Sequence, residues 1–251
     1  DKDITEYRYR GASPKNYVTF NNEVWRILGI FPTDDGTGKI ENRIKLIKDQ
    51  SIGNKYWDTG NSNNWARPAT LNTELNTTYL NSLDSTSQSM IGQAKYYLGG
   101  KNVTYNNGYA DTPLQFYSYE RKIQNTTSNE FYNGTNPNSF IGKLGLMYVS
   151  DYGYASSNCE NKKLYDSNSS SNDIRACNGT NWLYNIKVNE WLLPQNASYS
   201  DFAFNVYSDG FALNSNVNIN QFAVRPVLYL ISSAQITGGN GTSSSPYTLG
   251  L

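Results

Sequence analysis

Apolar residues along this chain fall into short runs whose spacing alternates between the period of a strand and that of a helix. Tyr17-Val18-Thr19-Phe20, then Asn21-Asn22, then Val24-Trp25-Arg26-Ile27-Leu28-Gly29-Ile30 reads as a hairpin of β-branched and aromatic residues around a tight turn. Arg43-Ile44-Lys45-Leu46-Ile47-Lys48 alternates strictly, the mark of a strand with one wet face, and Asp34-Asp35-Gly36-Thr37-Gly38 before it is a turn. Leu71, Leu75, Tyr79, Leu80 and Leu83 recur at helical spacing, which predicts a helix beginning just after Pro68. A second short helix is expected from near Ser85, turning Met90, Ile91, Ala94 and Leu98 inward and stopping at Gly99-Gly100.

Residues 101–141 are polar and loop-like. Beyond them, Gly145-Leu146-Met147-Tyr148-Val149, Trp191-Leu192-Leu193, Ala203 to Tyr207 and Val224 to Leu230 read as strands. A turn-rich tail from Gly238 to Pro246 leads to an edge strand at Tyr247-Thr248-Leu249. No repeat and no break in composition divides the 251 residues. The expectation is a single α+β domain over 1–251, with strands from both ends of the chain in one sheet.

Composition adds a wet surface to this picture. Hydrophobic residues make up 37% and charged residues 17%, below the usual averages of about 45–50% and about 25%. Low charge with abundant aromatics still argues for folding rather than disorder. Lys plus Arg equals Asp plus Glu at 21 each, without a basic stripe, so nucleic acid has no electrostatic footprint here. No polybasic cluster addresses an anionic membrane, and no run of about 20 apolar residues is long enough to span one. The chain opens at Asp1-Lys2-Asp3 without a signal peptide, and an upstream signal or anchor is expected. Cys159 and Cys177, 18 positions apart in one polar segment, are expected to form a disulfide. Its closure would stabilise by about 3 kcal/mol in the chain-entropy model. That bond implies an oxidising, extracytoplasmic compartment.

The candidate chemistry is narrowed most by an absence. There is no histidine, which removes Ser-His-Asp and Cys-His nucleophilic sites and His-based zinc or acid–base chemistry. No phosphate-binding glycine loop is present. Glu23, Glu41, Glu74, Glu120, Asp151 and Glu190 are the acids from which a glycosidase pair would be drawn, against the competing reading of solvated or salt-bridged side chains. Asp34, Asp35, Asp201 and Asp209 can supply calcium oxygens, without an EF-hand pattern.

The chain is rich in aromatics, with 21 Tyr and 5 Trp. Many sit in expected loops, including Tyr56-Trp57, Tyr105 and Tyr109, and the candidate ligand-binding set is Tyr152, Tyr154, Trp182, Tyr184 and Tyr199. Trp25 and Trp191 are expected in the core. Arg225, inside an apolar strand, requires a carboxylate partner, with Glu23 or Asp151 the first candidates.

Several of these segments together carry a family resemblance. "VRPVLYL" at Val224–Leu230 resembles the late strand of domains in the formylglycine-generating-enzyme-like branch of the C-type-lectin fold. "NEVWRILGI" resembles their opening hairpin, "WARPATLNTELNTTYL" their first helix, "GLMYVSDYGY" their central strand and turn, and Trp191-Leu192-Leu193-Pro194 the next core strand. The closing "ITGGNGTSSSPYTL" is similar to tails of surface proteins from gut Firmicutes, some of which carry a pilin-like hydrophobic helix that would lie upstream of Asp1.

The resemblance implies a C-type-lectin-like fold with two short amphipathic helices and long polar loops. It does not carry over the oxidase chemistry, because that branch uses a late cysteine pair and both cysteines here precede Trp191. The Glu-Pro-Asn and Trp-Asn-Asp motifs of calcium-dependent sugar binding are also missing, Asn189-Glu190-Trp191 being only a loose echo. The expected function is therefore non-catalytic. The chain is read as a domain of the bacterial cell surface that binds a glycan or surface protein through aromatic loops. The alternatives are a subunit of a pilus-like filament or a carboxylate-based glycan hydrolase.

Overall fold

The computed structural model describes residues 5–101, 111–121, 136–185 and 187–251. Two larger antiparallel-rich sheets, two two-stranded sheets and short helices make a mixed α+β structure. The chain begins with β1 (Tyr7–Arg8), β2 (Tyr17–Phe20), β3 (Glu23–Asp34), β4 (Ile40–Lys48) and β5 (Asn54–Lys55). The β2–β3 hairpin turns on Asn21 and Asn22, at φ of 55° and 56°. Asparagine tolerates this left-handed region, and two such residues in succession match the twist of the strands.

The expected helix over Leu71–Leu83 is present but interrupted. It runs as α1 (Thr70–Glu74), a π turn (Leu75–Tyr79) and α2 (Leu80–Ser82). Asn76 in the π turn donates Nδ2–H to the carbonyls of Asn72 and Leu144, while its Oδ1 accepts from the amides of Lys143 and Leu144. Such a π turn is typically a single-turn bulge inside an α-helix.

The second helix is shorter than the spacing suggests. α3 (Ser85–Met90) is capped by Asp84, and Ala94–Tyr97 is a strand, β6. Ala94, Tyr96 and Leu98 are buried while Lys95 and Tyr97 are not, which is strand periodicity. A spacing of four suits both periods, and pairing with β7 (Ser139–Gly142) decides for the strand.

The region expected as loop also contains α4 (Pro113–Glu120), opened by a Thr112–Gln115 capping box with Pro113 in the first turn. The strand expected at Gly145–Val149 shrinks to β8 (Leu144–Gly145), and α5 (Val149–Tyr154) begins where the Asp151 carboxylate accepts the Tyr148 amide. The remaining strands are β9 (Glu190–Gln195), β10 (Phe202–Val206), β11 (Ala212–Asn216), β12 (Phe222–Ala223), β13 (Val227–Tyr229), β14 (Gln235–Gly238) and β15 (Thr248–Gly250).

The first sheet has the order β1-β3-β4-β13-β8, with β2 also on β3. Strands from the two ends of the chain thus pair, Leu228 opposite Leu46. Both faces of β13 are covered, so Val227, Leu228 and Tyr229 are buried without alternation. The second sheet, β11-β10-β9-β12-β5, has the fully buried β9 at its centre. Trp25 and Trp191 are fully buried. Trp25 meets Phe20 edge-on at 5.4 Å, and the Trp191 indole N–H donates to the Lys55 carbonyl at 2.8 Å. Cys159 and Cys177 are disulfide-bonded, with Cα atoms 6.4 Å apart.

Candidate functional site

Charged side chains are scarce in this chain, yet several of them lie inside it. Arg225 donates to both oxygens of Glu190, at 2.7 and 2.8 Å, and to the Leu183 carbonyl at 2.9 Å. This corrects the expected partners. Glu23 pairs with Lys48 at the surface, and Asp151 is held by other cations. The register explains the choice, because Ala223 on β12 lies beside Glu190 at the start of β9, two residues before Arg225.

Asp151 anchors the second buried network. Its carboxylate accepts from Lys45 Nζ at 2.5 Å, Arg8 Nη1 at 2.8 Å and the Tyr148 amide at 3.0 Å. Burial alone would raise its pKa, but the charges of Lys45 and Arg8 outweigh that and hold it well below the usual carboxylate range. Lys45 is itself enclosed by Phe31, Tyr148 and Tyr229, with ring centroids 4.7 to 5.3 Å from Nζ.

Arg8 continues the network to Glu6, whose other oxygen accepts from the Tyr117 hydroxyl. Beside it, Glu120 accepts from the amide and hydroxyl of Ser150 at 2.9 and 2.5 Å and lies 3.3 Å from Arg121. Here burial wins, pushing the Glu120 carboxyl up to about 7 against those partners. Asp151 and Glu190 are thus saturated by the chain's own donors, as structural ion pairs are.

The five candidate ligand aromatics do not form one surface. Tyr152 lies on α5, fully buried, with its hydroxyl donating to the Gly210 carbonyl at 2.6 Å. Trp182 is also in the core, its indole donating to the Tyr9 carbonyl and its ring stacked on Arg26 at 4.7 Å. Tyr154 is half-buried beneath Arg8, and Tyr184 is half-buried with its hydroxyl on the Ser208 carbonyl. Tyr199 alone of the five is exposed, at 43%. Tyr105 and Tyr109 lie outside the described residues.

The expected calcium acids are likewise spent locally. Asp34 and Asp35 close their own turn, Asp201 accepts from Asn216, and Asp209 lies 3.6 Å from Arg175. Among the described residues no group of three or more Cys, Asp or Glu is placed to hold a metal. No helix among them is long and apolar enough to cross a membrane.

Two open clefts stand out among the described residues. One, of about 300 Å³, lies between the β2–β3 turn and the start of α3. Thr19, Asn22, Asp84 and Thr86 rim it, and Phe20, Met90 and Leu249 form an apolar floor. The Asn21 side chain accepts the Asp84 amide at 2.8 Å and locks the turn to the helix start. The other, of about 320 Å³, is an apolar groove lined by Tyr7, Ile30, Ile44 and Ile236. Tyr7, Ile30 and Ile44 are register neighbours across β1, β3 and β4 and share one face. A Cβ at Gly29 would overlap the Tyr7 carbonyl oxygen, so only glycine lets β1 approach this closely.

Neither cleft was legible in the sequence, since each is assembled from distant segments. The double asparagine at Asn21-Asn22 was the one local signal for the first. Comparison with family models, with curated proteins and with solved structures finds no match for this chain.

Proposed function

We propose that the chain is a non-catalytic, extracellular domain of the bacterial cell surface, with a C-type-lectin-like fold, that binds a glycan in the cleft between Asn22 and Thr86. The cleft carries the reading. It joins an apolar floor to a rim of hydroxyl, amide and carboxylate groups, the combination that receives the faces and hydroxyls of a sugar. The Cys159–Cys177 disulfide supports the extracellular part. Pairing of strands from both chain ends, with short helices between, supports the fold. The saturation of Asp151 and Glu190 by their own cations argues against these two acids as a glycosidase pair.

A glycan array probed with calcium and again with chelator tests the proposal. Binding in both conditions that is lost in Thr86→Arg, an exposed position whose longer side chain fills the cleft, is the expected result. Binding that the variant leaves intact, or no binding at all, refutes it and returns weight to a protein partner or a filament role.

A further inference from the structure

Asp111, just before the Thr112 cap of α4, faces Lys101 inside the chain. Lys101 Nζ is in contact with Asp111 Oδ2, and the two side chains are only 12% and 14% exposed. Among the described residues Lys101 pairs with no other carboxylate, and Asp111 Oδ2, itself buried, accepts no hydrogen bond from any other group. The two backbones are fixed independently. The Lys101 carbonyl accepts the Ala197 amide at 2.9 Å, and the Asp111 carbonyl accepts the Leu164 amide at 2.9 Å.

The surroundings are aromatic. Lys101 Nζ lies 4.8 Å from the Tyr119 ring centroid and 6.0 Å from that of Phe116. Phe116 is buried and meets Phe204 edge-on at 5.3 Å. Such walls withhold water from both charged groups. Burial lowers the Lys101 pKa to about 8, toward the neutral amine. A desolvated lysine amine is a nucleophile, and holding it against one carboxyl removes the entropic cost of bringing the two together. Asp151, by contrast, accepts from two cations and an amide, which keep its carboxylate ionised.

We propose that Lys101 and Asp111 join in an intramolecular isopeptide bond, formed by the folded chain itself. Within the pair the ammonium passes a proton to the carboxylate, giving a neutral amine and a neutral acid, which the dry surroundings favour. The amine nitrogen then attacks Asp111 Cγ, the Cγ–O bond breaks, and the hydroxyl departs as water with a proton from the nitrogen. One Nζ–Cγ amide and one water result, without oxidant or cofactor. The product replaces two buried charges by an amide that no reductant opens, a second covalent tie beside Cys159–Cys177.

Intact mass spectrometry of the purified, denatured chain tests this. The expected mass is below that of the disulfide-bonded sequence by one water, about 18 Da. Trypsin should leave the chain uncut after Lys101, and tandem spectra of the peptide over 96–121 should show a branch joining Lys101 to Asp111. Lys101→Arg and Asp111→Ala should each show their own full sequence mass, whether or not they fold. A wild-type chain of full mass, cleavage after Lys101, or a water loss that persists in Lys101→Arg overturns the proposal, the last by placing the dehydration elsewhere.

Discussion

Removing the Asp151 carboxylate probes the interior most directly. Asp151→Asn keeps the size of the side chain but leaves Lys45 and Arg8 facing an amide. Lys45 is fully buried and, among the described residues, its ammonium pairs with no other carboxylate, so its charge would remain in the core uncompensated. Breaking a buried pair by deleting one partner costs about 3–5 kcal/mol. A domain's whole stability is about 5–15 kcal/mol, so the variant should be folded but marginal. At about 2–4 °C per kcal/mol for a chain of this size, the melting temperature should fall by roughly 6–20 °C.

Urea unfolding followed by tryptophan fluorescence measures the loss, with an unchanged slope confirming that only stability moved. The double variant Lys45→Met with Asp151→Asn removes the orphaned cation and should recover part of it. A loss below about 1 kcal/mol in the single variant would show that the Lys45 charge is not left uncompensated in the core, and the reasoning would fail. The pH dependence follows the same logic. The folded pKa of Asp151 is depressed, so its stabilisation is full above the ordinary carboxylate value of about 4 and fades at more acid pH.

Other expectations rest on the same structure. Glu120 is raised from 4.5 to about 7, so the folded state holds a proton that the unfolded chain has released, and stability should decline as pH rises from about 4.5 through 7. Urea midpoints at several pH values should show that decline in the wild type and a flatter profile in Glu120→Gln. Cys159→Ser with Cys177→Ser should cost about 3 kcal/mol by calorimetry without loss of secondary structure. Gly29→Ala should displace β1 and cost about 1–3 kcal/mol, read as faster amide exchange at Tyr7 and Arg8.

The sequence determined what local chemistry can determine. The β2–β3 hairpin was legible because Asn21-Asn22 is turn chemistry flanked by β-branched and aromatic residues. β9, β10 and β13 were legible as short apolar runs, and the cysteine pair as two thiols in one polar segment. The need of Arg225 for a carboxylate followed from its apolar neighbours. Which carboxylate did not, because the sequence cannot show that β12 lies parallel to β9 and brings Glu190 alongside.

Tertiary structure also decided where spacing was ambiguous, making a strand of Ala94–Tyr97 through its pairing with β7. It withdrew Tyr152 and Trp182 from the surface, because an aromatic among polar neighbours in sequence can still be covered in space. The clefts and the Lys45–Asp151 pair belong wholly to this level. Lys45 and Asp151 are 106 positions apart and the clefts join segments from both ends of the chain, and proximity between such distant segments comes from sheet order and packing, which local pattern does not encode.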